Sequence, residues 1–290
     1  MYVSGFTFIR NAIQYDYPIL EAIKSILPIC DEVVVAVGKS EDETLQLIKS
    51  LDSEKIKIIV TVWDDSLREG GEVLAKETDK AFAAINPKAD WCFYIQGDEV
   101  IHEKYLDVVY EGMKQWENDP AVDGLLFHYL HFYGSYDYVA TSSGWYKKEI
   151  RIIRNNKKIY SYRDAQGFRK EDNQKLCVKP IDAYIYHYGW VKPPAAMQAK
   201  QHTFQKLWHT DRWIADNIPM VEEYDYGDID VLTRFDQDHP MVMKERIERL
   251  NWKFTRDISK NKISLKEKLK SYVQKHFGLD FNYKNYRIIK

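Results

Sequence analysis

A chain of 290 residues with 45% apolar side chains can bury a substantial core, either as one large domain with appendages or as two modest domains. Its 42 Lys and Arg are balanced by 44 Asp and Glu, giving a formal net charge of −2. It therefore lacks the excess positive charge that marks a nucleic-acid binder, and nucleic acid is not an expected partner. Three scattered cysteines, Cys30, Cys92 and Cys177, sit in apolar surroundings. They read as core thiols of a reducing compartment, with neither disulfide nor zinc spacing. With no leader-like or membrane-spanning apolar stretch at its start, the chain is expected to be cytoplasmic.

In chain order, the first hundred residues alternate strand and helix. Tyr2–Ile9 reads as a strand, and Ile19–Leu27 has helical spacing. Glu32–Val37 is so rich in valine that both of its faces must be buried, and Glu43–Leu51 is helical behind cap candidates at Ser40 to Asp42. Lys55–Trp63 is the third strand, Glu72–Ile85 the third helix and Trp91–Ile95 the fourth strand. Strands separated by helices imply a mostly parallel sheet with helices on both faces. Beyond Glu99 the pattern is mixed: a helix over Glu103–Trp116, strands at Gly124–Leu130 and Glu149–Arg154, and an aromatic, irregular Tyr133–Trp145. A loop is expected from Tyr160 to Asn173, then a strand over Cys177–Tyr186 that leads into His187-Tyr188-Gly189-Trp190. From Pro194 the chain turns helical and loop-rich.

The most informative stretch is Asp90 to Glu99. An apolar run, Trp91 to Ile95, ends in the adjacent carboxylates of Asp98 and Glu99. Ligands of open α/β sheets bind outside the carboxyl ends of the strands, where these two residues emerge. Neighbouring carboxylates repel unless a cation or donors hold them, and such oxygens suit Mg2+ or Mn2+, ions that also grip a diphosphate. A solvated strand end or a helix N-cap accounts for the same pair. The abundance of aromatic residues, 14% of the chain, fits core packing as well as a groove that stacks on sugar rings or bases.

Several short stretches, in this order and spacing, resemble the GT-A glycosyltransferases, particularly glycosyltransferase family 2. Phe8-Ile9-Arg10-Asn11 closes the first strand, and Ser40-Glu41-Asp42-Glu43-Thr44 follows the second. Gln96-Gly97-Asp98-Glu99 stands in the place of the family's Asp-x-Asp motif, and His187-Tyr188-Gly189-Trp190 lies where the family often supplies a late histidine to the metal. The resemblance covers residues 1 to about 200. It implies a GT-A α/β fold with a mostly parallel central sheet, flanked by helices and followed by a helical C-terminal extension.

The resemblance assigns roles. Asp98 would hold a divalent ion, Mn2+ or Mg2+, with His187 as a second ligand, while Glu99 braces Asp98 or touches the donor sugar. The ion would neutralise the departing diphosphate as a Lewis acid. Arg10 and Gln96 belong to the donor side, Gln96 replacing the first acid of the motif. The aspartate that commonly ends the second strand is absent, Val37-Gly38 standing there, so Asp64 or Asp65 is the candidate acceptor for a base imide N–H; both also suit a cap before Ser66. Lys200, Arg151 and Arg154 are candidate phosphate contacts. An inverting transfer needs a general base for the acceptor hydroxyl. Asp164, in Tyr162-Arg163-Asp164-Ala165-Gln166-Gly167, is preferred over the Glu171-Asp172 pair, although Asp164 equally suits an ion pair with Arg163 or Arg169. Asp236-Gln237-Asp238-His239-Pro240 reads as an acceptor-side cluster or a turn, and a lone histidine such as His187 often only packs.

The resemblance thus implies a metal-dependent, inverting transferase that moves a sugar from a nucleotide-diphosphate donor, UDP first, to a hydroxyl acceptor. The acceptor would be a glycan or lipid-linked glycan of surface polysaccharide synthesis. The alternative is a noncatalytic carbohydrate- or nucleotide-binding module on the same fold. Expected boundaries are a catalytic domain over 1–195 (nucleotide-binding half 1–99, acceptor half 100–195), a helical extension over 196–259 and a basic amphipathic tail over 260–290. The tail carries nine Lys or Arg against two acids. It would dock its apolar face on the domain, or lie on the inner face of an anionic membrane.

Overall fold

The valine run of the second strand sets the layering. The structure, a computed structural model, describes residues 1–227, 229, 231–261 and 284–290. In it β2 (Glu32–Gly38) lies between β1 (Val3–Ile9) and β3 (Ile56–Thr61), all parallel. Successive side chains of a strand point to opposite faces. Val33, Val35 and Val37 accordingly enter one core, and Val34 and Ala36 the other. The first core is closed by α1 (Ile19–Ile26), whose Ile19, Ala22, Ile23 and Ile26 recur at helical spacing. It is completed by Ile48 of α2 (Thr44–Lys49) and by Val109 and Met113 of α4 (Leu106–Gln115). The second core is closed by α3 (Glu72–Ala83), through Val73, Leu74, Ala81 and Phe82.

On the other side of β1, β4 (Trp91–Tyr94) pairs in parallel, giving the order β3-β2-β1-β4. The sheet then becomes mixed. β8 (Lys148–Arg154) runs antiparallel to β4, β6 (Gly124–Tyr133) antiparallel to β8, and β12 (Cys177–Trp190) parallel to β6. Two short strands pair with β12, namely β5 (Glu99–Ile101), antiparallel, and β14 (Arg287–Ile288), parallel. At the far end of β6, β7 (Tyr138–Ala140) and then β13 (Leu232–Arg234) extend the sheet. The architecture is the helix-flanked α/β sheet expected from the sequence, with its parallel part concentrated in the first four strands.

Two sequence expectations are corrected. Tyr160 to Asn173 is not a loop: β9 (Ile159–Tyr162), β10 (Gly167–Lys170) and β11 (Gln174–Lys175) form a separate three-stranded sheet. Its strands are too short and too charged to show a period in the sequence. The strand expected to end at Tyr186 also runs on through His187 to Trp190, because β5 and β6 supply partners there that only the tertiary fold brings.

The extension begins with α5 (Pro194–Phe204) and continues through α6 (Asp211–Asn217) and α7 (Lys244–Glu248). Arg246 of α7 binds Asp16 Oδ1 at 2.6 Å and Glu21 Oε1 at 3.1 Å, pinning the extension beside α1. Most of the basic amphipathic tail expected over 260–290, residues 262–283, lies outside the described residues. The chain end returns to the sheet edge, where β14 pairs with the start of β12. Cys30, Cys92 and Cys177 are all free thiols, and no helix among the described residues is long and apolar enough to cross a membrane.

Candidate active site

The acidic turn is built around one buried ion pair. Glu99 and Arg151 have fully buried side chains, and the guanidinium grips the carboxylate in bidentate fashion, Nε to Oε2 and Nη2 to Oε1, both at 2.7 Å. Tyr129 Oη donates to Oε1 at 2.7 Å, and the Gln96 backbone N–H donates back to Oε2 at 3.1 Å. Glu99 is thereby held within the turn by four hydrogen bonds. One of its two expected roles, contact with a donor sugar, does not fit a side chain enclosed by these partners. Arg151 is likewise no phosphate contact. Nor is Arg154, which donates to the carbonyls of Trp116, Asp119 and Val122 and lies over the Trp91 ring.

This pairing leaves Asp98 facing the cleft. The antiparallel register of β5 and β12 pairs Glu99 with His187, so Asp98 lies beside His187, with Oδ1 3.8 Å from Nε2. Its other oxygen, Oδ2, is 3.5 Å from Lys200 Nζ, which reaches back from α5 and donates to the Gly189 carbonyl at 3.0 Å. Burial works to raise the Asp98 carboxyl pKa, but its charged neighbours, Lys200 among them, outweigh it, so the group is held below the ordinary value as a carboxylate. Burial lowers Lys200, opposed by Asp98. Lys192, fully buried, donates to the Asp16 carbonyl at 2.9 Å over the Tyr17 ring. Burial and the neighbouring Lys200 bring its pKa well below the usual ammonium range.

The donor set fits a hard divalent ion. Among the described residues no three His, Cys, Asp or Glu side chains gather to hold a metal. Two protein donors suffice for an ion of this kind, which commonly takes its remaining ligands from water and substrate phosphates. Gly189 lets the two side chains approach each other. A Cβ at Gly189 would stand 2.8 Å from Asp98 Oδ2 and 2.8 Å from both Cε1 and Nε2 of His187. Gly189→Ala is accordingly expected to force Asp98 and His187 apart and to abolish any Mn2+ binding between them, measured by titration calorimetry, while leaving the far-ultraviolet dichroism of the wild type.

Behind His187 stands a residue the sequence did not single out. His131 of β6 is the register partner of His187 on the parallel β12. Its Nδ1 lies 3.1 Å from His187 Nδ1, and its Nε2 lies 2.7 Å from the Tyr146 carbonyl oxygen. Burial foremost, and then the nearby His187, push its pKa down to about 3, so it is neutral. Burial also lowers His187, against the pull of Asp98 and Glu99.

These groups line a cavity of about 1000 Å3, of the size that takes a small-molecule ligand. Of the residues expected from sequence, Arg10, Asp65, Gln96, Asp98, Asp164, His187 and Lys200 line it; Asp64 and Glu99 do not. At one end Arg10 pairs with Asp65 (Nη1 to Oδ1, 2.6 Å) and lies over Trp63. Asp64, exposed, instead accepts from the Ser66 N–H and hydroxyl, as a loop cap, and these bonds lower its pKa. Asp42 is a cap as well, accepting from the Thr44 N–H and from the Ile13 and Gln14 amides.

Asp164 sits at the tip of the β9–β10 hairpin, between Arg163 and Ala165, both with positive φ. That tip is tied to the acidic turn by Gln96 Nε2 donating to the Ala165 carbonyl, and to Arg151, which donates to the Gln166 carbonyl. Gly71, at φ +70°, is needed opposite, since a Cβ there would stand 2.6 Å from Asp164 Cβ. Burial raises the Asp164 pKa. The Glu171-Asp172 pair lies outside the cleft, with Glu171 pairing with Lys158 at 2.5 Å. His239 is structural, accepting from Tyr188 Oη at 2.8 Å and donating to the Tyr136 carbonyl at 3.1 Å.

Sequence reasoning missed His131, Trp145, Tyr146 and Trp190, which line the cleft beside His187. A histidine in an aromatic-rich strand, His131 before Phe132-Tyr133 and His187 between Tyr186 and Tyr188, was a visible signal in each of two strands, but only the β6–β12 register joins them.

No family model and no curated protein matches the sequence. Solved structures do overlap with it. S. aureus TarS 1-349 in complex with UDP is 16% identical over 77% of this chain and 68% of that one, with a TM-score of 0.43. This chain spans 39% of the longer TarS structure. Glucosyl-3-phosphoglycerate synthase from Mycobacterium tuberculosis, in complex with Mn2+, UDP and phosphoglyceric acid, is 19% identical over 45% of this chain and 43% of that one, with a TM-score of 0.30. All lie below a TM-score of 0.5, so the site is read from this chain's own side chains.

Proposed function

We propose that this chain is a nucleotide-sugar glycosyltransferase of GT-A type, transferring a sugar from a nucleotide-diphosphate donor to a hydroxyl acceptor. The observation that carries the reading is the meeting of Asp98, His187 and Lys200 in one large cleft beside the ends of the parallel strands. A departing diphosphate needs positive charge placed where its own charge develops. Lys200 supplies a fixed ammonium there. Asp98 and His187 would hold a divalent ion, Mn2+ or Mg2+, which when bound adds Lewis-acid stabilisation of the diphosphate oxygens. Arg10, Asp65 and Trp63 would receive the nucleoside, with UDP the first candidate.

Asp164 is the candidate general base in an inverting displacement. Its half-buried setting weakens it as an acid and strengthens it as a base, and the hairpin tip holds it on the cleft wall. The aromatic end of the cleft, with Trp145 and Trp190, would take the acceptor, a glycan or lipid-linked glycan. Residues 1–99 would then serve the nucleotide, 100–195 and the 196–259 extension the acceptor, and 260–290 a peripheral membrane contact.

The test is a thermal-shift titration with UDP, GDP, CDP and dTDP, with and without Mn2+. A ligand that binds only the native state raises the melting temperature by mass action, by about 2.7 kcal/mol of stability at a hundredfold excess over its Kd. A shift with one nucleotide that needs Mn2+ supports the reading; no shift with any of the four sinks it in favour of a noncatalytic module. With the donor known, Asp164→Asn is expected to lower turnover by about 10²–10⁴-fold, the usual worth of a general base. In the wild type the rate should rise with pH through an Asp164 pKa above the ordinary aspartate value, because the base must be deprotonated. That limb should vanish in Asp164→Asn, and a limb unchanged by the substitution assigns the base elsewhere.

A further inference from the structure

We infer that His131 is a positioning residue: it fixes His187 as the tautomer whose Nε2 carries no proton and turns a lone pair toward Asp98. A backbone carbonyl oxygen only accepts. Tyr146 O lies 2.7 Å from His131 Nε2, so that nitrogen carries the hydrogen and donates it. In a neutral imidazole the other nitrogen is then an acceptor. His131 Nδ1 is 3.1 Å from His187 Nδ1, and one proton must lie between these two nitrogens. With His131 Nδ1 as the acceptor, the proton belongs to His187 Nδ1. His187 Nε2 is left bare, 3.8 Å from Asp98 Oδ1. The reverse assignment would set two lone pairs against each other at 2.7 Å, His131 Nε2 against the Tyr146 oxygen.

The fold holds this relay in place. His131 and His187 are register partners on parallel strands, with ring centroids 5.0 Å apart and planes inclined at 72°. The His131 ring stacks on Tyr129 at 5.4 Å and meets Tyr146 edge-on at 4.5 Å, so it cannot turn freely. The group that orients a ligating histidine is ordinarily a carboxylate, a carbonyl or a water. Here it is a second, neutral histidine, itself fixed by a carbonyl. Two electron-rich atoms, Asp98 Oδ1 and His187 Nε2, then face one another, an arrangement that favours a cation between them. That last consequence rests on the metal reading of the proposed function; the tautomer assignment does not.

The experiment uses the metal-free full chain with ring-15N histidine and records two-bond 1H–15N correlations, the His187 signals being assigned with His187→Gln. The expected result is a protonated Nδ1 and bare Nε2 on His187, with the opposite pattern on His131. His131→Gln, whose amide can accept and donate in the same places, should keep the His187 pattern; His131→Phe should lose it. Mn2+ affinity, measured by calorimetry in variants whose melting curves match the wild type, should fall by about 10–100-fold in His131→Phe, the usual cost of losing such a support. It should stay within a few-fold in His131→Gln. A proton on Nε2 of His187 in the wild type overturns the inference, and that spectrum decides even if His131→Phe does not fold. Where the wild type binds Mn2+, an equal affinity in His131→Phe also overturns it. The expected tautomers in a wild type that binds no Mn2+ would uphold the positioning role and overturn the metal reading instead.

Discussion

Asp98→Asn is expected to reduce sugar transfer by about 10³-fold and to remove Mn2+-dependent nucleotide binding, in a protein that still folds. Both oxygens of Asp98 are engaged, one facing His187 and the other Lys200. Replacing the carboxylate by an amide removes the anionic donor for the proposed cation. It also leaves Lys200 without its charge partner, although the Gly189 carbonyl still receives its N–H. A loss of about 4 kcal/mol of transition-state stabilisation corresponds to about 10³ in rate. The measurement is turnover with the donor found by thermal shift, beside a melting curve to establish folding. Activity within tenfold of the wild type would remove Asp98 from the chemistry.

The same substitution has a signature in pH. The Asp98 carboxyl is held below its ordinary value in the fold, with burial opposing and its charged neighbours, Lys200 among them, prevailing. A group of that kind contributes stability that is fully present above its unfolded pKa, about 3.9, and is lost as the pH falls through the folded value. The acid limb of the stability profile should therefore be less steep in Asp98→Asn than in the wild type.

The largest effect on stability is expected from Glu99→Gln. Glu99 and Arg151 have no exposed side-chain surface, and breaking a buried pair by removing one charge leaves the other buried without compensation, at about 3–5 kcal/mol. At about 2–4 °C per kcal/mol for a large domain, the melting temperature should fall by roughly 6–20 °C. Tyr129 Oη and the Gln96 N–H also lose part of their acceptor, so the turn that presents Asp98 loosens. Mn2+ binding should weaken although Glu99 does not face the cleft. Glu99→Leu combined with Arg151→Met should regain part of the melting temperature, because a buried pair is often replaced by apolar groups at little cost. A single variant that melts like the wild type would show that the pair does not brace the fold.

Much of the frame was legible. The alternation of β1 to β4 with helices, the two-sided burial of Val33 to Val37 and the placement of Asp98 beyond β4 follow from period and polarity alone. Those signals are local: each strand or helix carries its own pattern. Asp98 and His187 were named together from motif order and Lys200 separately as a candidate phosphate contact, and the fold brings both His187 and Lys200 within 4 Å of Asp98. What failed depended on partners far away in the chain. Glu99 and Asp98 are adjacent and chemically alike, yet one is closed in by Arg151, 52 residues on, and the other faces the cleft. Asp64 and Asp65 divide in the same way, because only Asp65 meets Arg10, 55 residues earlier.

The sequence by itself determined an α/β chain whose two cores follow from strand alternation, and a carboxylate turn at the end of its fourth strand. Local periodicity and residue chemistry carry that much, since both act over a few residues. Only the tertiary structure decided which carboxylate is free, which histidine stands behind His187 and where Lys200 reaches. Those outcomes turn on strand register: β12 against β6 and β5 against β12 pair His187 with His131, 56 residues earlier, and with Glu99, 88 residues earlier. A shift of one residue in either would turn His187 to the opposite face of the sheet.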